Sequence, residues 1–133
     1  MSFMNRLFNN ADTGLPFNWQ NLNSLEQIDE IKKLSEDKPV VIFKHSTRCG
    51  VSHMAQHQLE RDWNFQPEEL DFFYLDLIRH RPVSNAVAET FEVRHQSPQI
   101  LIIKNGEVAF HTSHHRIGVE IIRKQIAEEE ESI

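Results

Sequence analysis

The 133-residue chain holds 39% apolar and 26% charged residues, and its 14 Lys and Arg against 20 Asp and Glu give a formal net charge of −6. That length and apolar content suit one domain with a sizeable core and exclude global disorder, while the negative charge argues against nucleic acid or an anionic membrane as the main partner. No apolar run approaches the ~18 residues of a membrane span, and the opening MSFMNRLFNN lacks the ~7–15-residue apolar stretch of a secretory signal, so the expected compartment is the cytoplasm.

A polar lead over residues 1–16 is expected to precede one domain over residues 17–127, with an acidic end over residues 128–133. Phe17-Asn-Trp-Gln-Asn-Leu22 reads as a short strand with Trp19 in the core. Ser24 stands as an N-cap before Leu25, Ile28, Ile31 and Leu34, with Gln27 three residues on as in a capping box, and this helix should end near Asp37, before Pro39. Val40-Val-Ile-Phe43 is a continuous β-branched and aromatic run and reads as a strand buried on both faces. From Gly50 to Trp63 the apolar residues Val51, Ala55 and Leu59 recur every four positions, which predicts a helix directly after that strand, with His53 and His57 turned to solvent. Leu70 to Ile78 is a second apolar strand, and Ser84 to Val93 a second crossover helix. Asn105-Gly106 between the runs Gln99–Lys104 and Glu107–Phe110 marks a β-hairpin, because both turn residues tolerate positive φ. Val119, Ile122 and Ile126 describe a last helix, whose end the acidic run Glu128–Glu131 solvates.

The order β-α-β-α-β-α-β-β-α predicts an α/β fold: parallel strands joined by crossovers, an antiparallel hairpin, and helices on both faces of a mixed sheet. The core is expected to include Ile42, Phe43, Leu59, Phe73, Leu75, Leu101 and Ile103. Sites in such sheets lie at the carboxyl ends of the parallel strands, where Phe43 gives way to Lys44-His-Ser-Thr-Arg-Cys49.

Cys49 is the only cysteine, so no disulfide forms within the chain and a four-cysteine zinc site is excluded. A thiolate is the nucleophilic form of cysteine, and a free thiol with a pKa of about 8.5 is mostly protonated at neutral pH. Cys49 falls where a strand hands over to a helix, so unsatisfied N–H groups and the helix dipole favour an anion there. Lys44, His45, Arg48 and His53 are expected to add positive charge. Ser52, three residues after Cys49, occupies the place of the second cysteine of dithiol redox proteins. Its hydroxyl is expected to donate to the thiolate but cannot form a disulfide, so an external small thiol must complete any cycle.

Cys49-Gly-Val-Ser52 opening a helix, Ser97-Pro98 before a strand and Lys104-Asn-Gly-Glu-Val108 at the hairpin resemble the thioredoxin fold from about Phe17 to Ala127. More narrowly, Phe43-Lys-His-Ser-Thr-Arg-Cys-Gly-Val-Ser52 and Trp19-Gln-Asn-Leu-Asn-Ser-Leu25 resemble the monothiol bacilliredoxins of low-GC Gram-positive bacteria. The resemblance implies a cytosolic thiol–disulfide oxidoreductase that removes bacillithiol from mixed disulfides on oxidised client proteins. Cys49 would be the nucleophile, Pro98 the cis-proline beside it, and Ser97 the residue whose backbone pairs with the bound thiol. Two features depart from thioredoxins: the second cysteine is absent, and Phe43 stands where they keep a buried carboxylate.

Bacillithiol carries carboxylates, so its pocket should present cations. Arg48, Arg94 and the pair His114 and His115 are the expected rim, with His95 and Arg116 beside them. Cys49, His53 and His57 recur at metal-ligand spacing, but His53 falls opposite the apolar helix face, and no bound metal is expected. Two other readings stand beside the enzyme. Cys-Gly-Val-Ser resembles the Cys-Gly-Phe-Ser of monothiol glutaredoxins that carry iron–sulfur clusters, although their Gly-Gly-x-Asp turn is replaced by His111-Thr-Ser-His-His115. A redox adaptor would use the fold for protein binding alone.

Overall fold

The computed structural model describes residues 18–131. The expected lead over residues 1–16, and Phe17 of the expected first strand, lie outside the described residues. Five strands form one sheet: β1 (Trp19–Asn21), β2 (Val40–His45), β3 (Asp71–Asp76), β4 (Gln99–Lys104) and β5 (Glu107–Ser113). Four helices accompany them: α1 (Glu26–Leu34), α2 (Gly50–Asp62), α3 (Arg81–Phe91) and α4 (Val119–Glu131), with a single 3-10 turn, His114–Arg116, before the last. The strand order is β1-β3-β2-β4-β5. β1 and β2 run parallel to β3, β4 is antiparallel to β2, and β5 is antiparallel to β4.

The alternation of side chains along a strand divides the interior into two cores. On one face, Val41, Phe43, Phe72, Ile100 and Ile102 meet Ala55 and Leu59 of α2 and Ile122 and Ile126 of α4. On the other, Val40, Ile42, Phe73, Leu75, Leu101 and Ile103 meet Ile28 and Ile31 of α1 and Val83, Val87 and Phe91 of α3. All seven residues expected in the core are fully buried. Trp19 also lies in the core, stacked on Phe72 with ring centroids 4.2 Å apart and edge-on to Trp63 at 5.3 Å.

Several boundaries differ from the sequence reading. The first strand has three residues, since β1 pairs with β3 only from Trp19↔Phe72 to Asn21↔Tyr74. α1 stops at Leu34 because the next turn tightens, with Glu36 N–H donating to Lys33 O and Asp37 N–H to Leu34 O. Gln27 makes the return half of the expected box, accepting the N–H groups of Asn23 and Ser24, but Ser24 itself is not the cap. α3 begins three residues early: Pro82 in its first turn has a φ suited to the helix, and Glu92 ends the helix in the left-handed region. β5 continues to Ser113 through polar residues that pair with Gln99–Leu101. α4 extends through the acidic run to Glu131.

Candidate active site

β2 is buried along its whole length, and the chain leaves it through Ser46, Thr47 and Arg48 to enter α2. Cys49 is the N-cap of α2, with extended backbone and a half-buried side chain. Its N–H donates to Ser46 O at 3.2 Å, and its carbonyl accepts the N–H of His53 at 3.1 Å. Cys49 therefore stands at the N-terminus of a 13-residue helix, where a negative charge is favoured, and its side chain makes no capping hydrogen bond to the first turn.

Pairing of β2 with β4 brings the second expected element close. Lys44 pairs with Gln99, so Pro98 comes level with His45, one step beyond the last paired residues. The Ser97–Pro98 bond is cis, Pro98 is buried, and Ser97 Oγ is buried with no hydrogen-bond partner. His114 N–H donates to Pro98 O at 3.1 Å, and the 3-10 turn that His114 opens packs against α2. His114, His115 and Arg116 are thus exposed on a turn held between the proline and the helix that begins at Cys49. Arg48 is exposed beside Cys49, and Arg94 is exposed on the segment leading to Pro98, its carbonyl taken by Gln99 Nε2 at 3.0 Å. Of the residues expected in the rim, Arg94 lies just before β4 and His114 and His115 just after β5.

Two polar clefts open on the β3 side. One, of about 470 Å³, is lined by His45, Thr47, His53, His57, Glu60 and Tyr74. The other, of about 490 Å³, is lined by Asn21, Asn23, Tyr74, Asp76, Arg79 and His80. Neither includes Arg48, Arg94, His114 or His115. Among the described residues no group of three or more His, Cys, Asp or Glu is arranged to hold a metal ion, and no helix is long and apolar enough to cross a membrane.

The sequence-expected cluster of cations around Cys49 needs correction. Lys44 and His45 are adjacent in a strand and so meet opposite faces. Lys44 is fully buried on the α3 side, where its ammonium donates to Ser84 O at 3.4 Å and to His95 Nδ1 at 3.3 Å. Burial lowers its pKa to about 8. His95 is held below its ordinary value by partial burial, then by Lys44 and Arg81. His45, 1% exposed on the α2 side, is pushed down to about 4, chiefly by burial and then by His53, so it is neutral at pH 7. Neither residue supplies positive charge to Cys49. Arg48 and the exposed His53, whose Nε2–H donates to Thr47 O at 2.9 Å, are the expected basic groups left on this side.

Ser52 is buried, and its hydroxyl lies 2.7 Å from His45 Nδ1 while accepting Ser46 N–H at 3.0 Å. These bonds lead to the strand end and loop, not to the sulfur. Sequence reasoning missed the pairing of His45 with Ser52. The strand expected from sequence ends at Phe43; β2 continues two residues further, which turns His45 to the helix face shared by Phe43.

Solved structures similar to this chain include a candidate oxidoreductase with a thioredoxin fold, 29% identical, covering 81% of this chain and 93% of that chain with a TM-score of 0.68. A thioredoxin from Malassezia sympodialis is 19% identical, covering 82% and 88% of the respective chains with a TM-score of 0.63. Thioredoxin f from spinach chloroplast is 17% identical, covering 84% and 92% with a TM-score of 0.64. The last two speak to the fold alone, which is thioredoxin-like. A thiol-redox role follows from that architecture together with a family model described as monothiol bacilliredoxin BrxC, which matches residues 20–122. That span covers most of the chain and takes in Cys49, Ser52 and the cis-proline, and the chain accordingly belongs to the monothiol bacilliredoxin family.

Proposed function

We propose that this protein is a monothiol thiol–disulfide oxidoreductase that removes bacillithiol from mixed disulfides on client proteins. The carrying observation is a solitary, half-buried Cys49 at the N-terminus of α2 in a chain of the monothiol bacilliredoxin family. The Cys49 thiolate attacks the bacillithiol sulfur of the mixed disulfide. The bond between the two sulfurs breaks, and the client cysteine leaves as a thiolate and takes a proton from water. A second bacillithiol thiolate then attacks the bacillithiol sulfur held on Cys49, producing bacillithiol disulfide and restoring the Cys49 thiolate. No step draws on a second cysteine of this chain.

Bacillithiol is thus a co-substrate, and S-thiolated proteins formed under oxidative stress are the clients, met in the cytoplasm. Ser97 offers its backbone to the sulfur-bearing residue as an added strand does, beside Pro98. Arg48, Arg94, His114 and His115 form an anion-binding rim for the carboxylates. Incubating the reduced protein with bacillithiol disulfide and weighing it intact tests the reading. A single bacillithiol adduct, absent from Cys49→Ser and removed by free bacillithiol, is the expected result. No adduct, or an adduct formed equally fast with glutathione disulfide, would overturn the assignment of bacillithiol.

A further inference from the structure

The loop that carries Cys49 is closed by side chains outside the exchange chemistry itself. Ser46, the residue after β2, and Ser52, in the first turn of α2, bracket the cysteine and are joined by the bond from Ser46 N–H to Ser52 Oγ. Within that closure, Ser46 O takes the N–H of Cys49 and Ser46 Oγ takes the N–H of Arg48 at 3.3 Å. The closure hangs from His45, whose Nδ1 is 2.7 Å from Ser52 Oγ. A hydroxyl has one hydrogen to donate and two lone pairs to accept with. The Ser46 N–H enters the buried oxygen, and the hydroxyl hydrogen finds an acceptor in His45 Nδ1 when the ring is neutral and carries its proton on Nε2. Donation then runs one way, from Ser46 N–H through Ser52 to His45.

We propose that His45 is the positioning residue of Cys49: as a neutral Nε2–H imidazole it fixes Ser52, and through Ser52 the loop that presents the sulfur. Ser52 is a link in this chain and gives its only hydrogen to His45, so the thiolate receives none from it. The surroundings favour the neutral ring. Burial disfavours the charged form, and His53 of α2 stands edge-on at 4.9 Å and disfavours it further. On β3, the Tyr74 ring lies at 5.5 Å; Asp76 and a backbone hydrogen bond at Ser52 act in the opposite sense without prevailing. His57 and Glu60, further along α2, line the same cleft. The proposal rests on Cys49 being the nucleophile and is independent of which thiol it carries.

Two measurements test it. In the wild-type protein, long-range proton–nitrogen correlation of labelled histidine should show His45 with Nδ1 unprotonated and Nε2 protonated at neutral pH. A protonated Nδ1, or a His45 that titrates like a free imidazole near pH ~6.5, overturns the proposal. The second measurement uses dipyridyl disulfide. The Cys49 thiolate attacks one of its sulfurs, the bond between the sulfurs breaks, and the released thiolate takes a proton to give chromogenic thiopyridone, leaving Cys49 as a mixed disulfide. His45→Asn, whose Oδ1 can accept in place of Nδ1, should react within about threefold of wild type, while His45→Leu and Ser52→Ala should each slow about tenfold with unchanged far-ultraviolet dichroism. The double variant His45→Leu/Ser52→Ala should be no slower than the worse single one, because the two residues act as a unit. Losses that multiply, or a loss confined to Ser52→Ala, sink it. A protein that ignored bacillithiol disulfide would leave both readouts unaffected, so the two proposals fail separately.

Discussion

Lys44 and His45 are neighbours in β2, yet each meets a different core and responds to pH in a different window. The folded His45 has a pKa near 4 against an ordinary value of 6.5. Above pH ~6.5 the ring is neutral in both states and its contribution to stability is fully present; as pH falls toward 4 the unfolded chain takes up a proton that the fold resists, and roughly 2–3 kcal/mol is lost. For Lys44 the folded value is near 8 against 10.5. The cost of burying its charge is complete below pH 8 and disappears as pH rises to 10.5, where the unfolded ammonium also releases its proton. Urea denaturation across pH should therefore show stability rising with pH in two windows. Lys44→Met should gain about 1–3 kcal/mol at neutral pH and lose the upper rise; an upper rise that persists in this variant would mean that Lys44 is not its source. Read as sequence, both residues were cations flanking a thiol, because adjacency in the chain says nothing of burial. The strand period that sends them to opposite faces was legible only once β2 was known to continue through His45.

At the scale of elements, the type and order of the strands and helices were readable because the helices keep their apolar spacing, the central strands are continuous apolar runs, and Asn105-Gly106, at φ 54° and 79°, makes a two-residue hairpin turn. The ends of elements were less legible, since they depend on contacts with distant segments. Ser35 at the end of α1 is the clearest case. Its hydroxyl donates to Lys32 O at 2.6 Å and accepts Gly106 N–H at 2.8 Å, and its carbonyl accepts Asn105 N–H at 2.9 Å. A helix end and a hairpin tip more than seventy residues apart are thereby tied by one buried serine, and no local pattern around Ser35 announces it. Ser35→Ala should destabilise by about 1–2 kcal/mol, because the hairpin amide loses its acceptor. Hydrogen exchange at Gly106 should accelerate by more than exchange at Ile42 in the sheet centre; equal changes at both would show a global effect and no specific tie.

For the molecule as a whole, the net charge of −6 stands against the basic rim proposed above, and topology bears on both. Because β2 lies between β3 and β4, its carboxyl end receives loops from both sides. On the β4–β5 side, the bond of His114 to Pro98 and the packing of the 3-10 turn bring His114 and His115 against α2. The sixty-six positions that separate Arg48 from His114 put the proposed rim beyond any local motif, and the resemblance alone pointed to it. Exposed cations of this kind contribute about 0.5–1 kcal/mol each to an anionic ligand, or severalfold in affinity. The expected signature is thus selective: Arg48→Ala and His114→Asn should each raise KM about two- to fivefold for a disulfide bearing carboxylates and leave a neutral disulfide unaffected. Asparagine is the informative replacement at His114, whose φ of 58° is a conformation that asparagine tolerates and most residues do not. Raising salt to about 0.5 M should erase the difference between wild type and variants, since screening acts on exposed charges. Equal losses on charged and neutral disulfides would instead locate these residues in the architecture of the Cys49 loop, and the anion rim would have to be sought in the Arg79 and His80 cleft on the β3 side.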